Sequence, residues 1–384
     1  MNADAAKAII VKSALELGFH RAVIASLKPM QSEREHFEQW LSQGFAAGMD
    51  YLKRNPHFRT SPQLLFPQSR CAVIVSASYY TREPETPVAT PFGRVARYAV
   101  GLDYHAVLRA RLRQLRTRIE NALGYPIFAK ACTDDVALYE QAFAARHGLG
   151  FAGKNTMIIG PKLSGSYYFV AELFIDLELE PDEPYAGTCG QCFRCGDRCP
   201  TGAIVSPNVL DAGRCISYLT IENKEGIPPE LRRSIGEWVF GCDVCQEVCP
   251  YNQRPPEAVW EEFQPEKGAG HYLDLLSLLK IKTESEFSAR FGHTALRRPK
   301  RRGMLRNALV VLGNHLAGVT KYALAEQEES TVLQAIETFV DHEPDAMLRE
   351  HAAWAVEQCQ QSEAKRIFRR INSDRNLHQA DFTA

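Results

Sequence analysis

The chain has 384 residues, of which 45% are hydrophobic and 24% are charged, and its formal net charge is −1. This length suffices for two or three domains, and the near-neutral charge excludes a general attraction to nucleic acid, so any polyanion site must be a local patch. No apolar run reaches the length of a membrane span, and residues 1–18 lack the apolar core and cleavage site of a signal peptide. We therefore expect a cytoplasmic protein.

The first 180 residues alternate between helical and extended patterns. Apolar positions recur at helical spacing, or run continuously with β-branched residues, as they do from Cys71 to Tyr80. In chain order the patterns predict helices at residues 4–18, 32–46, 104–123 and 136–146, and strands at residues 21–27, 71–80 and 125–133. Such alternation favours one α/β domain over residues 1–180, which the linker Pro181-Asp-Glu-Pro184 ends.

A glycine-rich turn lies late in this domain, with the sequence Gly148-Leu-Gly-Phe-Ala-Gly-Lys-Asn155. Glycine allows positive φ and lets the backbone come close to a ligand. The turn lacks the Walker spacing of a phosphate loop and is a poor match to a dinucleotide fingerprint. It therefore indicates a close backbone approach that is not to a nucleotide phosphate.

Eight of the eleven cysteines fall between residues 189 and 249. The first run has the spacing C-x2-C-x2-C-x3-C-P of bacterial ferredoxins, in which the fourth cysteine ligates the other cluster. The second run begins at Cys242 and lacks the first cysteine of that pattern, which the isolated Cys215 replaces. The crossover rule predicts two [4Fe-4S] clusters, whose ligands are Cys189, Cys192, Cys195 and Cys249 for the first and Cys199, Cys215, Cys242 and Cys245 for the second.

Structural zinc and disulfides are the alternatives for these thiols. Two four-thiolate zinc sites would also use C-x2-C pairs, but the Cys-Pro endings and the three-residue gaps favour iron–sulfur clusters. Disulfides are not expected, because iron–sulfur clusters and free thiols indicate a reducing compartment. Residues 181–256 are therefore interpreted as a ferredoxin-like domain that passes single electrons.

Residues 257–384 have helical patterns that repeat. Met304-Leu-Arg306 recurs as Met347-Leu-Arg349, an offset of 43 residues that falls within the HEAT period. We predict HEAT-like α-helical repeats that pack on the preceding domains. The segment Arg297-Arg-Pro-Lys-Arg-Arg302 is the densest positive cluster of the chain. It favours phosphate binding beside a concave helical surface, and a solvated loop is the alternative.

Several motifs together resemble the epoxyqueuosine reductase family over nearly the whole chain. They are the glycine-rich turn, the cysteine stretch, Ala96-Arg-Tyr-Ala-Val-Gly-Leu-Asp-Tyr-His105, Cys215-Ile-Ser-Tyr-Leu-Thr-Ile-Glu222 and Cys249-Pro-Tyr-Asn252. The resemblance implies an α+β multidomain protein in which a nitroreductase-like domain holds a cobalamin beside a two-cluster domain. It also implies the activity, which is removal of the epoxide oxygen from a wobble-position nucleoside of tRNA. The electrons would come from an external donor such as a flavodoxin or ferredoxin system.

The resemblance also implies site residues. Release of the epoxide oxygen as water needs an acid, and the family's acid aligns with Asp134; we interpret the adjacent Asp135 as the cap of the next helix. Expected corrinoid contacts are Arg97, Tyr98, Gly153, Lys154, Asn155, Ser217 and Tyr218. Expected tRNA phosphate contacts are Lys224, Arg297, Arg298, Lys300, Arg301 and Arg302.

Some of these points have alternatives. The familiar corrinoid signature D-x-H-x-x-G is incomplete, since Ala145 stands two residues before His147 where the Asp would be. A base-off corrinoid without a histidine ligand is consistent with that. Lys154 has an alternative as a surface lysine, and Tyr98 as a core aromatic. For the whole chain, the alternatives are a corrinoid reductase of a small molecule, a ferredoxin-type electron carrier and a zinc-bearing helical scaffold.

Overall fold

A computed structural model of the chain describes residues 2–85, 91–162, 164–321 and 323–361. The strands are β1 (Arg21–Ser26), β2 (Cys71–Ser78), β3 (Phe92–Val95), β4 (Ala129–Cys132), β5 (Phe151–Ala152), β6 (Ile158–Ile159), β7 (Tyr168–Ile175), β8 (Ile204–Ser206), β9 (Val209–Leu210), β10 (Trp238–Phe240) and β11 (Tyr272–Asp274).

The helices are α1 (Ala3–Glu16), α2 (Gln31–Ser42), α3 (Pro56–Arg59), α4 (Pro62–Leu65), α5 (Tyr104–Leu123), α6 (Glu140–Arg146), α7 (Arg194–Asp197), α8 (Ile216–Ile221), α9 (Pro229–Arg232), α10 (Val244–Glu247), α11 (Leu275–Leu279), α12 (Glu284–Phe291), α13 (Lys300–Leu316), α14 (Glu326–His342) and α15 (346–361). Helices and sheets occupy separate layers, so the predicted α+β class is confirmed. The part of the predicted helical domain beyond residue 361 lies outside the described residues.

The main sheet has the strand order β1-β2-β7-β4, and all three of its pairings are antiparallel. An α/β domain has a mainly parallel sheet, so the α/β prediction for residues 1–180 is wrong for this sheet. The continuous apolar run of β2 has another cause. Val73 and Val75 face one core and Ala72 and Ile74 face another, so both faces of the strand are buried.

Helices α1 and α5 cover one face of this sheet. The stripe predicted for α5 consists of Leu108, Leu112, Leu115, Ile119 and Leu123. The first four are buried, and Leu123 is partly buried. The helix begins where the Asp103 carboxylate accepts from the His105 backbone N–H, and it ends at Gly124, whose φ is +80°. Cap and stop signals flank the apolar stripe, so the structure has the bounds that the sequence predicted.

Helix α6 and the loop before it cover the other face, through Leu138, Phe143 and Leu149. The helix begins at Glu140, four residues later than predicted, with Tyr139 at its N-cap. Residues 133–139 therefore form a loop at the end of β4. This loop carries the two aspartates that the sequence singled out.

A second sheet, in the order β10-β3-β11, takes one strand from each of the three predicted domain ranges. It joins a core that extends into the C-terminal helices. At the centre of that core is α13, whose fourteen residues from Gly303 to Leu316 are all buried. Helix α13 also packs on α8, the helix that follows Cys215. The C-terminal helices thus hold the cysteine-bearing segment in place.

Candidate active site

A cavity of about 800 Å³ opens between α2, the loop after β4 and the segment before α13. Its apolar wall includes Phe37, Trp40, Val136 and Leu138. Its polar wall includes Tyr51, Arg59, Asp134, Glu140, Glu222 and Arg298. An apolar pocket with a few converging polar groups is typical of a cofactor or substrate site.

Asp134 lies between this cavity and a smaller one of about 310 Å³, because it lines both. Its carboxylate Oδ2 accepts a hydrogen bond from the Tyr104 hydroxyl at 2.8 Å. The Arg298 guanidinium approaches the same oxygen at 3.5 Å, and His105 Nε2 lies 3.9 Å from it. The side chain is half exposed, at 53%, so its other oxygen is accessible from the cavities.

The groups around Asp134 have perturbed acidities. Burial raises the pKa of Tyr104, and the negative charge of Asp134 raises it further, so the phenol stays protonated and donates. Burial alone would lower the pKa of Arg298, but the carboxylates of Glu222, at 2.6 Å, and Asp134 outweigh it and raise the pKa. Both donors stabilise the carboxylate that remains after Asp134 has given up a proton.

His105 is oriented by a second carboxylate. Its Nδ1 lies 2.7 Å from Asp103 Oδ1, and the other oxygen of Asp103 pairs with Arg297 at 3.0 Å. A carboxylate on one ring nitrogen fixes the direction of the other. The Nε2 side of the imidazole therefore faces the smaller cavity beside Asp134.

Asp135 has a different role from its neighbour. Its Oδ1 accepts from the Thr133 backbone N–H at 2.9 Å, and its Oδ2 pairs with Arg109. Because α6 begins five residues later and its N-cap residue makes no side-chain cap bond, the prediction that Asp135 caps this helix is wrong. Asp135 closes the turn at the end of β4, and it is Asp134 that accepts from Tyr104.

The cysteine stretch forms a separate cavity of about 320 Å³. All four thiols of the first predicted ligand set line it, together with Lys154, Asn155, Arg194 and Tyr251. All eleven cysteines belong to the described part of the chain, and none of them forms a disulfide. The crossover rule thus groups thiols that do lie around one space.

The second predicted set lies deeper. Burial raises the pKa of the Cys245 thiol first, and then the nearby Cys215, Asp243, Cys195 and Cys199 raise it further. The Cys199 sulfur accepts from the Ala203 backbone N–H at 3.3 Å. Since Cys195 belongs to the first set, the two sets are neighbours.

The comparisons with known proteins support a double-cluster domain. A model described as "4Fe-4S double cluster binding domain" matches residues 188–252, and one described as "Epoxyqueuosine reductase QueG, DUF1730" matches residues 59–135. An epoxyqueuosine reductase of Pseudomonas aeruginosa is 38% identical over 347 residues, which are 89% of this chain and 91% of that protein. The enzyme of Escherichia coli is 36% identical over 350 residues, 90% and 87% of the two chains. The chain belongs to the epoxyqueuosine reductase family.

Solved structures of epoxyqueuosine reductases have the same fold. One contains a tRNA-Tyr epoxyqueuosine-modified stem loop; its TM-score is 0.77 at 29% identity, over 94% of this chain and 100% of that one. The Bacillus subtilis epoxyqueuosine reductase has a TM-score of 0.76 at 29% identity, over 93% and 100% of the chains, and has its catalytic aspartate loop swung out of the active site. The resemblance inferred from the sequence is therefore confirmed.

Family membership weighs against the alternative functions. Epoxyqueuosine reductases are enzymes, unlike a simple electron carrier or a zinc-bearing scaffold, and the double-cluster model matches the cysteine stretch. One solved relative contains an epoxyqueuosine-modified tRNA stem loop, whereas a small-molecule reductase would bind no RNA. In the described ranges no helix is both long and apolar enough to cross a membrane.

The residues that were expected to contact the corrinoid lie at several different places in the structure. Tyr98 lines the smaller cavity beside Asp134. Lys154 and Asn155 line the cysteine cavity, where Lys154 Nζ donates to the Gly190 carbonyl at 2.7 Å and Asn155 Nδ2 lies 3.4 Å from the Cys245 carbonyl. Gly153 packs against Asn155 and Ile159. The glycine-rich turn thus approaches the first set of thiols.

Arg97 lies away from both cavities beside Asp134. Its guanidinium pairs with Glu83, Asp243 and Glu247 at 2.8 to 3.1 Å. Tyr218 accepts from the Gly48 backbone N–H at 2.9 Å. The backbone at Ser217 and Tyr218 bonds the Cys215 thiol, which places these two residues at the second set.

Most of the expected tRNA contacts already have carboxylate or carbonyl partners. Arg301 pairs with Glu343 at 2.5 Å, and Arg302 with Asp345 at 2.6 Å. Lys224 Nζ lies 3.3 Å from the Ile221 carbonyl. Lys300 is exposed and has no ion pair to a described residue. Arg298 belongs to the Asp134 site itself, as shown above.

Sequence reasoning missed several members of this site. Tyr104 and His105 stand within a motif that was quoted for the family resemblance, and Glu222 ends another. The signal that could have identified Tyr104, His105 and Glu222 was their position at the ends of these two motifs. Tyr51 and Arg59 stand in short helical turns without any sequence signal, and only the fold brings them to the cavity.

Proposed function

We propose that this chain reduces epoxyqueuosine to queuosine in the anticodon stem-loop of a tRNA, in the cytoplasm. Conversion of an epoxide to an alkene takes up two electrons and two protons and releases the oxygen as water. The position of Asp134, between two cavities and beside two hydrogen-bond donors, carries the proposal. Its carboxylic acid gives a proton to the leaving oxygen, and Tyr104 and Arg298 stabilise the carboxylate that forms.

Two [4Fe-4S] clusters supply the route for electrons. Cys189, Cys192, Cys195 and Cys249 would hold the first, and Cys199, Cys215, Cys242 and Cys245 would hold the second. The first cavity opens toward solvent, whereas Cys242 of the second set packs on the same core as Tyr98, which lines the smaller cavity with Asp134. With both clusters bound, the first would take up electrons on the solvent side and the second would lie nearer the Asp134 site.

The larger cavity fits a corrinoid. Its volume of about 800 Å³ and its apolar wall suit part of a flat macrocycle. In its wall the buried Arg59 Nε has no hydrogen-bond partner among the described residues, so it is available to an amide side chain of the ligand. When bound, the corrinoid supplies a cobalt centre that accepts single electrons and reduces the epoxide. Tyr98 and the Cys215 segment, with Ser217 and Tyr218, would face it from the cluster side.

A histidine ligand to the cobalt is not expected. His147, the histidine of the incomplete signature, is buried and uses both ring nitrogens inside the protein. Its Nδ1 lies 3.0 Å from the Phe143 carbonyl, and its Nε2 accepts from the Ser26 backbone N–H at 3.1 Å. These bonds leave His147 no free ring nitrogen, so a corrinoid bound here would take no ligand from this residue.

The RNA would reach the site along the basic edge at the start of α13. Lys224 and Lys300 are exposed and free of carboxylate partners among the described residues, so they suit phosphates without competition. Phosphate contacts of Arg297, Arg298, Arg301 and Arg302 would have to share or displace the present ion pairs. We therefore expect Lys224 and Lys300 to contribute more to the RNA affinity than the four arginines.

We assign one of these three roles, corrinoid binding, cluster binding and RNA binding, to each predicted domain. Residues 1–180 form a nitroreductase-like cobalamin domain, residues 181–256 a ferredoxin-like domain and residues 257–384 a HEAT-like RNA-binding domain. The antiparallel main sheet, the paired cysteine runs and the repeated helices α13 and α15 support these assignments. The shared second sheet joins the three into one core.

Anaerobic turnover tests the function directly. We expect purified, cluster-reconstituted protein with cobalamin and a chemical reductant to convert epoxyqueuosine in a tRNA anticodon stem-loop. Nucleoside mass spectrometry should show the loss of one oxygen, and the loss should depend on cobalamin. A protein with both clusters reducible and corrinoid bound that removes no oxygen would contradict the proposal and favour a small-molecule substrate.

The electron donor is expected to dock over the first cluster. Arg194 lines its cavity, and Arg198 lies one helical turn further on, where its backbone N–H donates to the Arg194 carbonyl at 3.0 Å. Both arginines are exposed, and neither has an ion pair to a described residue. Positive charge around an electron entry point suits a small acidic flavodoxin or ferredoxin. Arg198→Glu should raise the KM for flavodoxin by about tenfold and leave dithionite-driven turnover unchanged, because charge steers docking.

The matched control is Arg118→Glu, at an exposed arginine of α5 that pairs with Glu16 at 3.2 Å. It should change neither rate. An Arg198→Glu protein with an unchanged KM for flavodoxin at low salt would place the docking site elsewhere.

A further inference from the structure

The loop between β4 and α6 holds Asp134 in an unusual conformation. Its φ is +51°, in the left-handed region that residues with a side chain rarely adopt. Such a conformation persists only where the surroundings impose it. Something beyond the loop itself must therefore fix the backbone at the proton donor.

Glu140, the first residue of α6, provides this contact. Its Oε1 accepts from the Asp134 backbone N–H at 2.6 Å. Enclosure by the protein and the charge of Asp134 raise the pKa of Glu140 to about 8, although its own bond to the Asp134 N–H opposes the rise. Glu140 lines the larger cavity but has no role in the proposed chemistry.

A second carboxyl lies behind Glu140. Glu172 of β7 is fully buried, and it pairs with Cys132 of β4 in the sheet. Neither of its carboxyl oxygens has a hydrogen-bond partner among the described residues. Burial first, and then Glu140, Asp135 and Asp134, raise the pKa of the Glu172 carboxyl well above its ordinary value. Two neighbouring carboxyl groups, those of Glu140 and Glu172, therefore lie behind the loop that carries Asp134.

We infer that Glu140 is the positioning residue of the proton donor. Its carboxyl holds the backbone N–H of Asp134, fixes the left-handed conformation and so directs the Asp134 carboxyl toward Tyr104 and Arg298. The inference rests on the proposed role of Asp134 as the acid. In the Bacillus subtilis relative the catalytic aspartate loop is swung out of the active site, so within the family this loop has another position.

Two substitutions at Glu140 distinguish its role as a hydrogen-bond acceptor from the effect of its charge. Glu140→Ala should lower kcat by about 10- to 100-fold with little change in the KM for RNA, since a small misplacement of a catalytic group has such an effect. Glu140→Gln keeps an oxygen that can accept the same N–H, so kcat should stay within about threefold of the wild type. The assay is dithionite-driven reduction of the modified stem-loop, with iron content measured for each protein.

A double-mutant cycle tests whether Glu140 acts through Asp134. In an Asp134→Asn background, Glu140→Ala should have no further effect on single-turnover rate. A merely structural role predicts the same fractional loss in both backgrounds. Glu120→Ala is the matched control, because Glu120 also accepts a backbone N–H, that of Ile127 at 3.1 Å, far from the cavities.

The possible outcomes are distinct. Wild-type kcat for Glu140→Ala, equal loss in both backgrounds, or an inactive Glu140→Gln protein with full iron content would each overturn the inference. If Glu140→Ala does not fold, the Gln variant alone decides. If Asp134→Asn turns over normally, the proposed acid fails and the inference fails with it; if Asp134→Asn is inactive and Glu140→Ala is not, only the inference fails.

Discussion

Asp134→Asn should lower turnover of the modified stem-loop by about 10²- to 10⁴-fold, the range that a lost general acid produces. The amide still accepts from Tyr104 at the same place, so binding of RNA and of both clusters should be unaffected. The measurement is single-turnover loss of oxygen from the nucleoside, under anaerobic conditions and with excess reductant. Iron content and the visible spectrum verify that the clusters are intact.

The neighbouring residue is the matched control. Asp135→Asn keeps the oxygen that accepts from the Thr133 N–H and loses only the ion pair with Arg109. Its rate should fall by less than about tenfold, because its carboxyl does not touch Tyr104 and a partly exposed ion pair contributes little. Equal losses at the two positions would show that the loop, and not the Asp134 proton, limits the reaction.

The elements that the sequence predicted well have local determinants. The bounds of α5 followed from a leucine stripe flanked by an aspartate cap and a glycine. The double-cluster stretch followed from cysteine spacing, because four thiolates around one cluster restrict the chain strongly. In both cases the deciding residues lie close together in the sequence.

Features that depend on distant parts of the chain were not predictable in this way. The direction of β2 depends on its pairing with β7, about a hundred residues later, and its apolar run fits either direction. The late start of α6 depends on the loop that holds Asp134, where a left-handed residue replaces the first helical turn. Helical spacing alone therefore placed the start of α6 too early.

The candidate site shows the same limit. Asp134 was identified by resemblance, but its partner Arg298 is 164 positions away and was read as a tRNA phosphate contact. The carboxylates opposite Arg301 and Arg302 are about forty residues away, so the basic segment appeared unpaired in the sequence. A run of arginines shows positive charge, and only the fold shows how much of it is neutralised.

The second prediction with a large expected effect concerns Arg306, in the C-terminal helix α13. This fully buried guanidinium donates to the carbonyls of Leu219 at 2.6 Å, Asn223 at 2.8 Å and Glu225 at 2.6 Å. Burial, and then Arg302, lower its pKa to about 10, so it remains charged at neutral pH. Removal of the side chain would leave three carbonyls at the end of α8 without these donors, each at a cost.

Arg306→Met should therefore lower the free energy of unfolding by about 3–5 kcal/mol, the range for breaking a buried charged network. Since α8 begins directly after Cys215, the iron content of the second cluster should fall as well. Arg349→Met is the control from the other copy of the repeat. Arg349 is exposed, and among the described residues its guanidinium bonds only the nearby carbonyls of Glu343 and Pro344, so its loss should cost less than about 1 kcal/mol. Anaerobic urea unfolding and iron analysis measure both effects, and equal costs at the two positions would mean that the bonds of Arg306 to the α8 segment do not stabilise the fold.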